Sequence, residues 1–366
     1  MSQCICTGTF LFMKEKILEQ LSTILDPDLG KDIVTLGFIK ELEIQGDKAK
    51  FILELTTPAC PVKDELKKQC EEAALKVDGI NDVEVILKAQ EKKSTATQSA
   101  ENLKDITSIV AISSCKGGVG KSTVSVNIAT ALAQQGASVG LLDADIFGPS
   151  LPTMFGLSGQ SPQIHDQKFI PFEVCGLKMM SAGFLFPADE AAVLRGPMVS
   201  NVLQQILFNT HWGKLDYLFI DMPPGTGDVQ LTLSQAVPLC GAAIVTTPQK
   251  ISLIDVVKGI EMFSKVNVPI LGVIENMSYL AHNDQKIPLY GPSGTPTLAK
   301  MYGLNILGNM PFYPEVVSNS DKGRPVSADP SSEPGSFYKQ ISLELVREIS
   351  KAQHSDAQIP NVDIDW

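Results

Sequence analysis

A short glycine-rich segment, Lys116-Gly-Gly-Val-Gly-Lys-Ser-Thr123, constrains this chain more than any other stretch of its sequence. It follows an apolar run at residues 109–112 and precedes residues with the apolar spacing of a helix. A glycine-rich turn from a strand into a helix lets backbone N–H groups converge on an anion at the positive end of the helix. Lys121 would face the outer phosphates of a nucleotide, and the Ser122 hydroxyl would bind Mg²⁺. The predicted phosphate site comprises Lys116, Gly117, Gly118, Val119, Gly120, Lys121, Ser122 and Thr123.

Apolar segments alternate with helical patterns throughout residues 105–352. These segments are typical of buried parallel strands, because each is continuous in apolar character rather than alternating. They lie at residues 109–112, 139–142, 217–220, 243–247, 270–274 and 306–307. The pattern predicts an α/β fold with a doubly wound, mostly parallel sheet, whose ligands sit beyond the carboxyl ends of the strands.

A smaller α+β pattern precedes this region, at residues 13–88. Its spacing predicts a helix, a hairpin that turns at Gly46, a second helix over 62–77 and a strand over 83–87. Residues 89–104 predict a flexible linker, since positions 89–102 have no large apolar side chain to anchor them. We expect residues 1–12 to form a disordered extension and residues 353–366 an acidic tail.

Composition restricts the partners and the compartment. The formal charge of −11 argues against non-specific nucleic-acid binding and against an anionic membrane surface, so we expect neither partner. No apolar run is long enough to span a bilayer. The 7 cysteines follow no disulfide-framework spacing and fit a reducing compartment, which predicts a cytoplasmic protein.

Carboxylates follow two of the predicted strands. Asp143 and Asp145 end the strand over 139–142, and Asp221 ends the strand over 217–220. Because phosphoryl transfer depends on positioning, Asp145 is the candidate for orienting the attacking water. Asp221 would hold Mg²⁺ through water, with Asp143 near the same metal shell. The turn at residues 223–227 could sense the γ-phosphate through its amides and move on hydrolysis.

Five sequence motifs together resemble those of the Mrp/ApbC family, within the MinD/ParA/nitrogenase-reductase class of deviant P-loop ATPases. They read KGGVGKST, DADIFGPS, RGPM, FIDMPPGTGD and ENMSY, and the resemblance covers nearly all of residues 106–350. The deviant loop has a second lysine, here Lys116, and this chain has Cys115 where the usual loop has glycine. The resemblance implies ATP binding and hydrolysis, homodimers, and a role as an iron–sulfur cluster carrier or scaffold.

The same resemblance implies roles for individual residues. Lys116 would reach across the dimer interface to the partner's nucleotide, and with Lys121 and Asp145 it would form the catalytic set. Asn276 would meet the Watson–Crick edge of adenine, while the loop around Pro311 would flank the base.

Residues 13–88 resemble the SufT-like domain that is often fused ahead of Mrp. The similar segments are Asp26-Pro-Asp-Leu-Gly, Leu36-Gly-Phe-Ile and Thr56-Thr-Pro-Ala-Cys-Pro61. SufT-like domains have a reactive cysteine at the position of Cys60. Since Pro61 suits a first helical position, the helix dipole would favour the Cys60 thiolate. A reactive or metal-handling thiol and a simple capping residue both fit this position.

One family feature is missing from the chain. Mrp-type carriers usually have Cys-x-x-Cys soon after the Asn-Met-Ser-Tyr phrase, and the pairs of both subunits hold the cluster. Here residues 279–286 read YLAHNDQK, without cysteine. Iron–sulfur clusters need thiolate ligands, so His282 with Asp284 is a poor substitute. The sequence therefore predicts no family ligands for an iron–sulfur cluster.

Three functions fit these observations. The first is an ATPase that assembles iron–sulfur clusters or transfers them to apoproteins, with assembly proteins or apoprotein clients as partners. The second is a regulatory or adaptor ATPase that has lost the cluster site. The third is a MinD/ParA-like positioning ATPase, which would want a basic amphipathic tail, whereas residues 359–366 are acidic and contain proline.

Overall fold

The computed structural model describes residues 6–25, 31–55, 63–89, 103–186, 196–282 and 285–354. The chain divides into two units, Met1–Lys92 and Lys93–Trp366. Predicted residues outside the described ranges include Cys60, most of the linker and the acidic tail.

The first unit is a three-stranded sheet with two helices. Its elements are α1 (Cys6–Leu21), β1 (Ile39–Gln45), β2 (Lys48–Leu55), α2 (Lys63–Ala74) and β3 (Asp82–Ala89). β1 and β2 form an antiparallel hairpin, and β3 pairs with β2 in parallel. One apolar core joins the helices to the sheet, with Ile17, Leu21, Phe51 and Leu66 all buried. This unit thus buries an apolar core of its own.

The first helix is longer than the sequence predicts. α1 begins at Cys6 rather than at Met13, so the helix includes residues 6–12 as well. No proline separates these residues from the amphipathic segment that follows, and the helix therefore continues toward the N-terminus.

The second unit is built on an eight-stranded sheet in the order β15-β12-β11-β4-β10-β5-β9-β8. Its strands are β4 (Ile106–Ser113), β5 (Val139–Asp143), β8 (Phe172–Val174), β9 (Leu177–Ser181), β10 (Leu215–Asp221), β11 (Gly241–Thr246), β12 (Ile270–Glu275) and β15 (Ile306–Asn309). All neighbours are parallel except β8, which pairs antiparallel with β9 at one edge. The predicted α/β, mostly parallel sheet is confirmed.

Helices connect the strands of this sheet. They are α3 (Lys121–Gln134), α4 (Leu151–Met154), α5 (Gly196–Asn209), α6 (Asp228–Ala236), α7 (Lys250–Lys265), α8 (Thr295–Tyr302), α9 (Pro314–Asp321) and α10 (Glu333–His354). Short 3₁₀ turns lie at Ala182–Phe184 and Val326–Ala328. No helix in the described ranges is both long and apolar enough to cross a membrane.

Two small ribbons lie outside the main sheet. One pairs β6 (Ile164–His165) with β7 (Lys168–Phe169), and the other pairs β13 (Tyr279–His282) with β14 (Gln285–Pro288). The second hairpin occupies the segment where the resemblance leads one to expect a cysteine pair, and its strand β14 is exposed along its whole length.

Candidate functional site

The glycine-rich segment forms the predicted turn between β4 and α3. Gly118 and Gly120 both adopt left-handed backbone angles, with φ of 80° and 81°. Gly120 caps α3, which begins at Lys121. A Cβ atom on Gly120 would also collide with the side-chain amide of Asn276. Glycine at this position therefore meets a backbone requirement and a packing requirement together.

Lys121 and Ser122 both contact Asp221 at the end of β10. The Lys121 Nζ lies 2.7 Å from Asp221 Oδ1. The Ser122 Oγ donates to Asp221 Oδ2 at 2.6 Å. Lys121 is only 6% exposed and Asp221 is fully buried, so this is a desolvated ion pair. The structure thus brings together the lysine, hydroxyl and carboxylate that the sequence assigned to one site.

Asp143 lies beside Asp221, because β5 and β10 pair these two residues in register. Its Oδ2 accepts hydrogen bonds from Ser181 Oγ at 3.0 Å and from the backbone N–H groups of Ser150 and Leu151 at 3.2 Å. Burial, and then the neighbouring Asp221 carboxylate, raise the pKa of Asp143 to about 7. Asp143 therefore anchors the loop that follows β5 as well as bordering the metal position.

Asp145 lies in that loop and is half-buried. Its Oδ1 accepts from the backbone N–H of Gly148 at 3.2 Å. Burial raises the pKa of Asp145 above its usual range, and the nearby Lys121 opposes this rise. A carboxylate that is fixed by its own loop and lies near the phosphate-facing lysine is suitably placed to orient a water molecule.

The donor set fits Mg²⁺, which prefers hard oxygen ligands. Ser122, Asp221 and Asp143 present a hydroxyl and two buried carboxylates, and the Lys121 ammonium group forms an ion pair with Asp221. A divalent cation would neutralise the Asp143 carboxylate. It would also neutralise Asp221 once Lys121 pairs with a phosphate instead. These three residues are the ones that would hold the metal.

A cavity of about 160 Å³ opens beside the phosphate loop. Asn276 and Pro311, the two residues expected around adenine, both line it. The Asn276 Nδ2 donates to the backbone oxygen of Val119 at 2.9 Å and is buried, so the base-side residue is bonded directly to the phosphate loop. The remaining lining residues are Gly120, Thr123, Met154, Met277, Phe312, Tyr313, Val316, Val317, Ser320, Asp321 and Tyr338.

Lys116 lies at the start of the phosphate loop and is half-buried. Within the described residues its ammonium group has no ion-pair partner, unlike that of Lys121. The turn at 223–227 lies against the same loop, since the Gly225 N–H donates to the Ser114 oxygen at 3.0 Å. The side chain of Gln230 in α6 also donates to the Pro223 oxygen, which fixes the start of the turn.

Two further residues of the site were not predicted from the sequence. Ser125 donates to Asp221 Oδ1 at 2.6 Å, and Ser181 donates to Asp143 as described above. The sequence could have indicated Ser125, because it lies four positions after Lys121 and therefore on the same face of α3. Ser181 had none, because only the pairing of β9 with β5 brings it to Asp143.

The described residues contain no cluster of three or more His, Cys, Asp or Glu side chains that could bind a metal ion. Cys60 lies outside these residues. Cys115 packs against Gly259 of α7, and burial raises the pKa of its thiol to about 12. Burial likewise raises the pKa of Cys70 to about 12. Both thiols have the properties of packing residues rather than of thiolate ligands.

Comparison with known protein families gives two matches. A family model described as ParA, NUBPL iron-transfer P-loop NTPase, matches residues 105–347. A second, described as iron-sulfur cluster assembly protein, matches residues 14–87. Each match falls within one of the two units of the structure.

Two curated relatives align with 92% of the chain. The Fe-S cluster assembly factor HCF101, chloroplastic, of Oryza sativa subsp. japonica is 44% identical over 346 residues, and the chain covers 64% of its length. The iron-sulfur cluster carrier protein of Synechocystis sp. is 42% identical over 346 residues, and the chain covers 98% of it. The chain thus spans less than two thirds of the plant relative.

A solved structure also resembles the second unit. It is a nucleotide-binding protein from Archaeoglobus fulgidus in complex with ADP, with 35% identity and a TM-score of 0.58. The alignment covers 66% of this chain and 95% of that one.

Proposed function

Because the chain belongs to the ParA family of NUBPL iron-transfer P-loop NTPases, we propose that it binds and hydrolyses ATP to assemble iron–sulfur clusters or transfer them to apoproteins. The observation that carries this proposal is the buried contact of Lys121 and Ser122 with Asp221, directly beneath the phosphate loop. The names of the rice and Synechocystis relatives support the iron–sulfur part.

ATP binding requires Lys121 to change partners. The Lys121 ammonium group neutralises Asp221, whose Oδ1 lies 2.7 Å from Nζ. The phosphates of ATP offer a larger negative charge and several oxygen acceptors, which draw Lys121 away from the carboxylate. Ser122, Asp221 and Asp143 would hold Mg²⁺, which would supply positive charge to offset that of the phosphates. Asp221 and Ser122, released from Lys121, are then free to serve as metal-side ligands.

Hydrolysis depends on Asp145 and Lys116 in this proposal. Asp145 accepts a hydrogen bond from the water that attacks the γ-phosphate, and so orients it for in-line displacement. Lys116 supplies a positive charge to the nucleotide of a second subunit, as its lack of an ion pair among the described residues allows. Hydrolysis is accordingly Mg²⁺-dependent, slow and coupled to the closure of a homodimer.

The iron–sulfur cluster is cargo in this cycle. We propose that assembly proteins or apoprotein clients are the partners, and that the work takes place in the cytoplasm, where thiols such as those of Cys70 and Cys115 stay reduced. Neither nucleic acid nor a membrane takes part, since the chain carries a formal charge of −11.

A second function is favoured by one observation. The hairpin of β13 and β14 contains no cysteine, although the resemblance places the cluster ligands in this segment. An ATPase without these thiolates could act as a nucleotide-driven switch or adaptor in the same process. It would bind and hydrolyse ATP with the same residues but carry no cluster itself.

Cluster transfer separates the two functions. The full chain is reconstituted anaerobically with iron and sulfide, and iron and the 400 nm absorbance band are followed before and after mixing with an apo [4Fe–4S] enzyme. A carrier gives a coloured protein that activates the enzyme. A protein that stays colourless, yet hydrolyses MgATP, contradicts the carrier role and supports the switch.

A further inference from the structure

We propose that Ser125 is a positioning residue that fixes the Asp221 carboxylate for the metal–nucleotide complex. This proposal rests on the function proposed above, since it concerns the same ATP site. Ser125 belongs to neither the glycine-rich segment nor the carboxylate-bearing strands from which the site was predicted.

The Ser125 hydroxyl has two acceptors within reach. Its Oγ lies 2.6 Å from Asp221 Oδ1 and 3.0 Å from the backbone oxygen of Lys121. A hydroxyl has one proton to donate, and a charged carboxylate at the shorter distance is the stronger acceptor. Ser125 is 1% exposed, so no bulk water competes for this bond. The hydroxyl is therefore bonded mainly to Asp221.

The two oxygens of Asp221 are held differently. Oδ2 accepts from Ser122, whereas Oδ1 is shared by Lys121 and Ser125. When phosphates attract Lys121, Oδ1 loses its ion pair. Among the described residues, Ser125 is then the donor that still holds Oδ1, and it does so from within α3. The carboxylate keeps its orientation although its cation has gone.

A neutral donor suits this task. A second lysine at position 125 would neutralise Asp221 and lower its attraction for a divalent cation. A hydroxyl orients the carboxylate without removing its charge, and the preorganised carboxylate needs less ordering when the metal arrives. The expected benefit of Ser125 is thus a tighter linkage between metal and nucleotide, not tighter nucleotide binding alone.

The experiment measures that linkage in the full chain. The affinity for a fluorescent ATP analogue is determined with Mg²⁺ and with EDTA, and the ratio of the two values reports the contribution of the metal. The variants are Ser125→Ala, Ser125→Thr, Asp221→Asn and the double variant Ser125→Ala/Asp221→Asn. Thr130→Val is the matched control, because Thr130 is a buried hydroxyl of the same helix with no partner in the described part of the chain.

Ser125→Ala is expected to lower the Mg²⁺/EDTA ratio about tenfold, the effect of losing one hydrogen bond to a charged group. The affinity in EDTA should change little. Ser125→Thr keeps the hydroxyl and should restore the ratio, and Thr130→Val should leave it at the wild-type value. In the Asp221→Asn background Ser125→Ala should have no further effect, since Ser125 acts through that carboxylate. If Ser125→Ala fails to fold, Ser125→Cys keeps the volume with a weak donor and gives the same comparison.

Other outcomes overturn the proposal. An equal loss of affinity with Mg²⁺ and with EDTA would mean that Ser125 only supports the fold of α3. A wild-type ratio in Ser125→Ala would remove the residue from the site while leaving the proposed function intact. A wild-type protein whose ATP affinity ignores Mg²⁺ would contradict the proposed function, and this inference with it.

Discussion

At the residue scale, the spacing of the sequence identifies side chains but not their contacts. Lys121 and Ser122 are recognisable from the glycine-rich segment, and Asp221 from the end of an apolar strand. The hydrogen bond between Ser122 and Asp221 joins residues 99 positions apart. It depends on the parallel pairing of β10 with β4, which no local pattern specifies. The sequence therefore predicts which side chains belong to the site. It does not predict the ion pair between Lys121 and Asp221.

Asp145 provides a test of the hydrolytic step. Asp145→Ala removes the carboxylate that we propose to orient water, while leaving the phosphate loop and Asp221 unchanged. We expect ATP affinity within about threefold of wild type and turnover at least about a hundredfold lower, in the range typical of a lost general-base or positioning group. Single-turnover phosphate release measures the rate, and Asp255→Ala, a half-buried carboxylate paired with Lys258, is the control. Unchanged turnover would exclude Asp145 from the mechanism.

The raised pKa of Asp143 predicts that the stability of the protein depends on pH. Burial and Asp221 raise its pKa from 3.8 to about 7 on folding. Between pH 3.8 and about 7 the Asp143 carboxyl is ionised in the unfolded chain and protonated in the folded chain. The free energy of unfolding therefore falls as the pH rises through this range. Asn cannot ionise. We therefore expect Asp143→Asn to gain stability relative to wild type from about pH 4 to pH 7, with no further gain above that range.

Urea unfolding without nucleotide and metal, repeated across this pH range, gives the difference in the free energy of unfolding between Asp143→Asn and wild type. The lost acceptor in Asp143→Asn adds a constant offset, so the slope and not the absolute value is the test. A difference that does not vary with pH would mean that Asp143 ionises normally in the folded protein.

At the scale of elements, continuous apolar strands and the strand–turn–helix at 116–123 are well predicted by the sequence. The strands β8 and β9 and the hairpin β13–β14 are not. β8 is three residues long, and β14 is exposed throughout, so neither has the continuous apolar run that marks a buried strand. Pairing with β5 positions β9, and through it β8, whereas β13 and β14 pair with each other outside that sheet.

The segments that follow α4 and α9 contact each other at Gly156 and Gly323. This contact predicts how replacing Gly323 affects stability. Both helices line the cavity beside the phosphate loop, through Met154 and Val316. A Cβ on Gly323, which has φ of +69°, would lie 2.5 Å from the Cα of Gly156. Backbone cannot move aside as a side chain can. We expect Gly323→Ala to destabilise the protein by about 2–4 kcal/mol, from left-handed strain plus overpacking, and to weaken ATP binding.

Gly303→Ala is the matched control for this change. Gly303 has φ of +63°, and no atom of the described residues would lie within 4 Å of a Cβ there, so only the strain, about 1–2 kcal/mol, applies. Denaturant unfolding and nucleotide titration compare the two variants. Equal losses of stability would show that the helix contact contributes nothing beyond backbone strain.

At the scale of the whole molecule, the sequence motifs were sufficient to recognise the family, and the match over residues 105–347 confirms it. The structure separates Met1–Lys92 from Lys93–Trp366, and each unit has its own sheet. The sequence could not decide whether the protein itself carries a cluster, because cluster ligation depends on thiolates brought together by assembly. The hairpin of β13 and β14 contains no cysteine and so offers no thiolate to a cluster.

Iron binding should therefore depend on the smaller unit. We expect a fragment of residues 105–352 to bind ATP as the full chain does and to stay colourless after anaerobic reconstitution, since its hairpin offers no thiolate. Iron retained by the full chain should be weakly held and lost in Cys60→Ser, with Cys70→Ser as the buried-cysteine control. A stable brown fragment with about four irons per dimer would show that other cysteines reach the interface.

We propose that Lys121 and Asp221 belong to an ATP site at which hydrolysis requires a second subunit. MgATP hydrolysis by the full chain tests it most directly, measured as phosphate release over a range of protein concentrations together with equilibrium ATP binding. We expect activity to rise more than linearly with protein concentration and to disappear in EDTA. Lys121→Ala should lose tight binding, and Lys116→Ala should bind ATP but not hydrolyse it. Equal loss of binding in both variants, or activity strictly proportional to protein at all concentrations, would contradict the account.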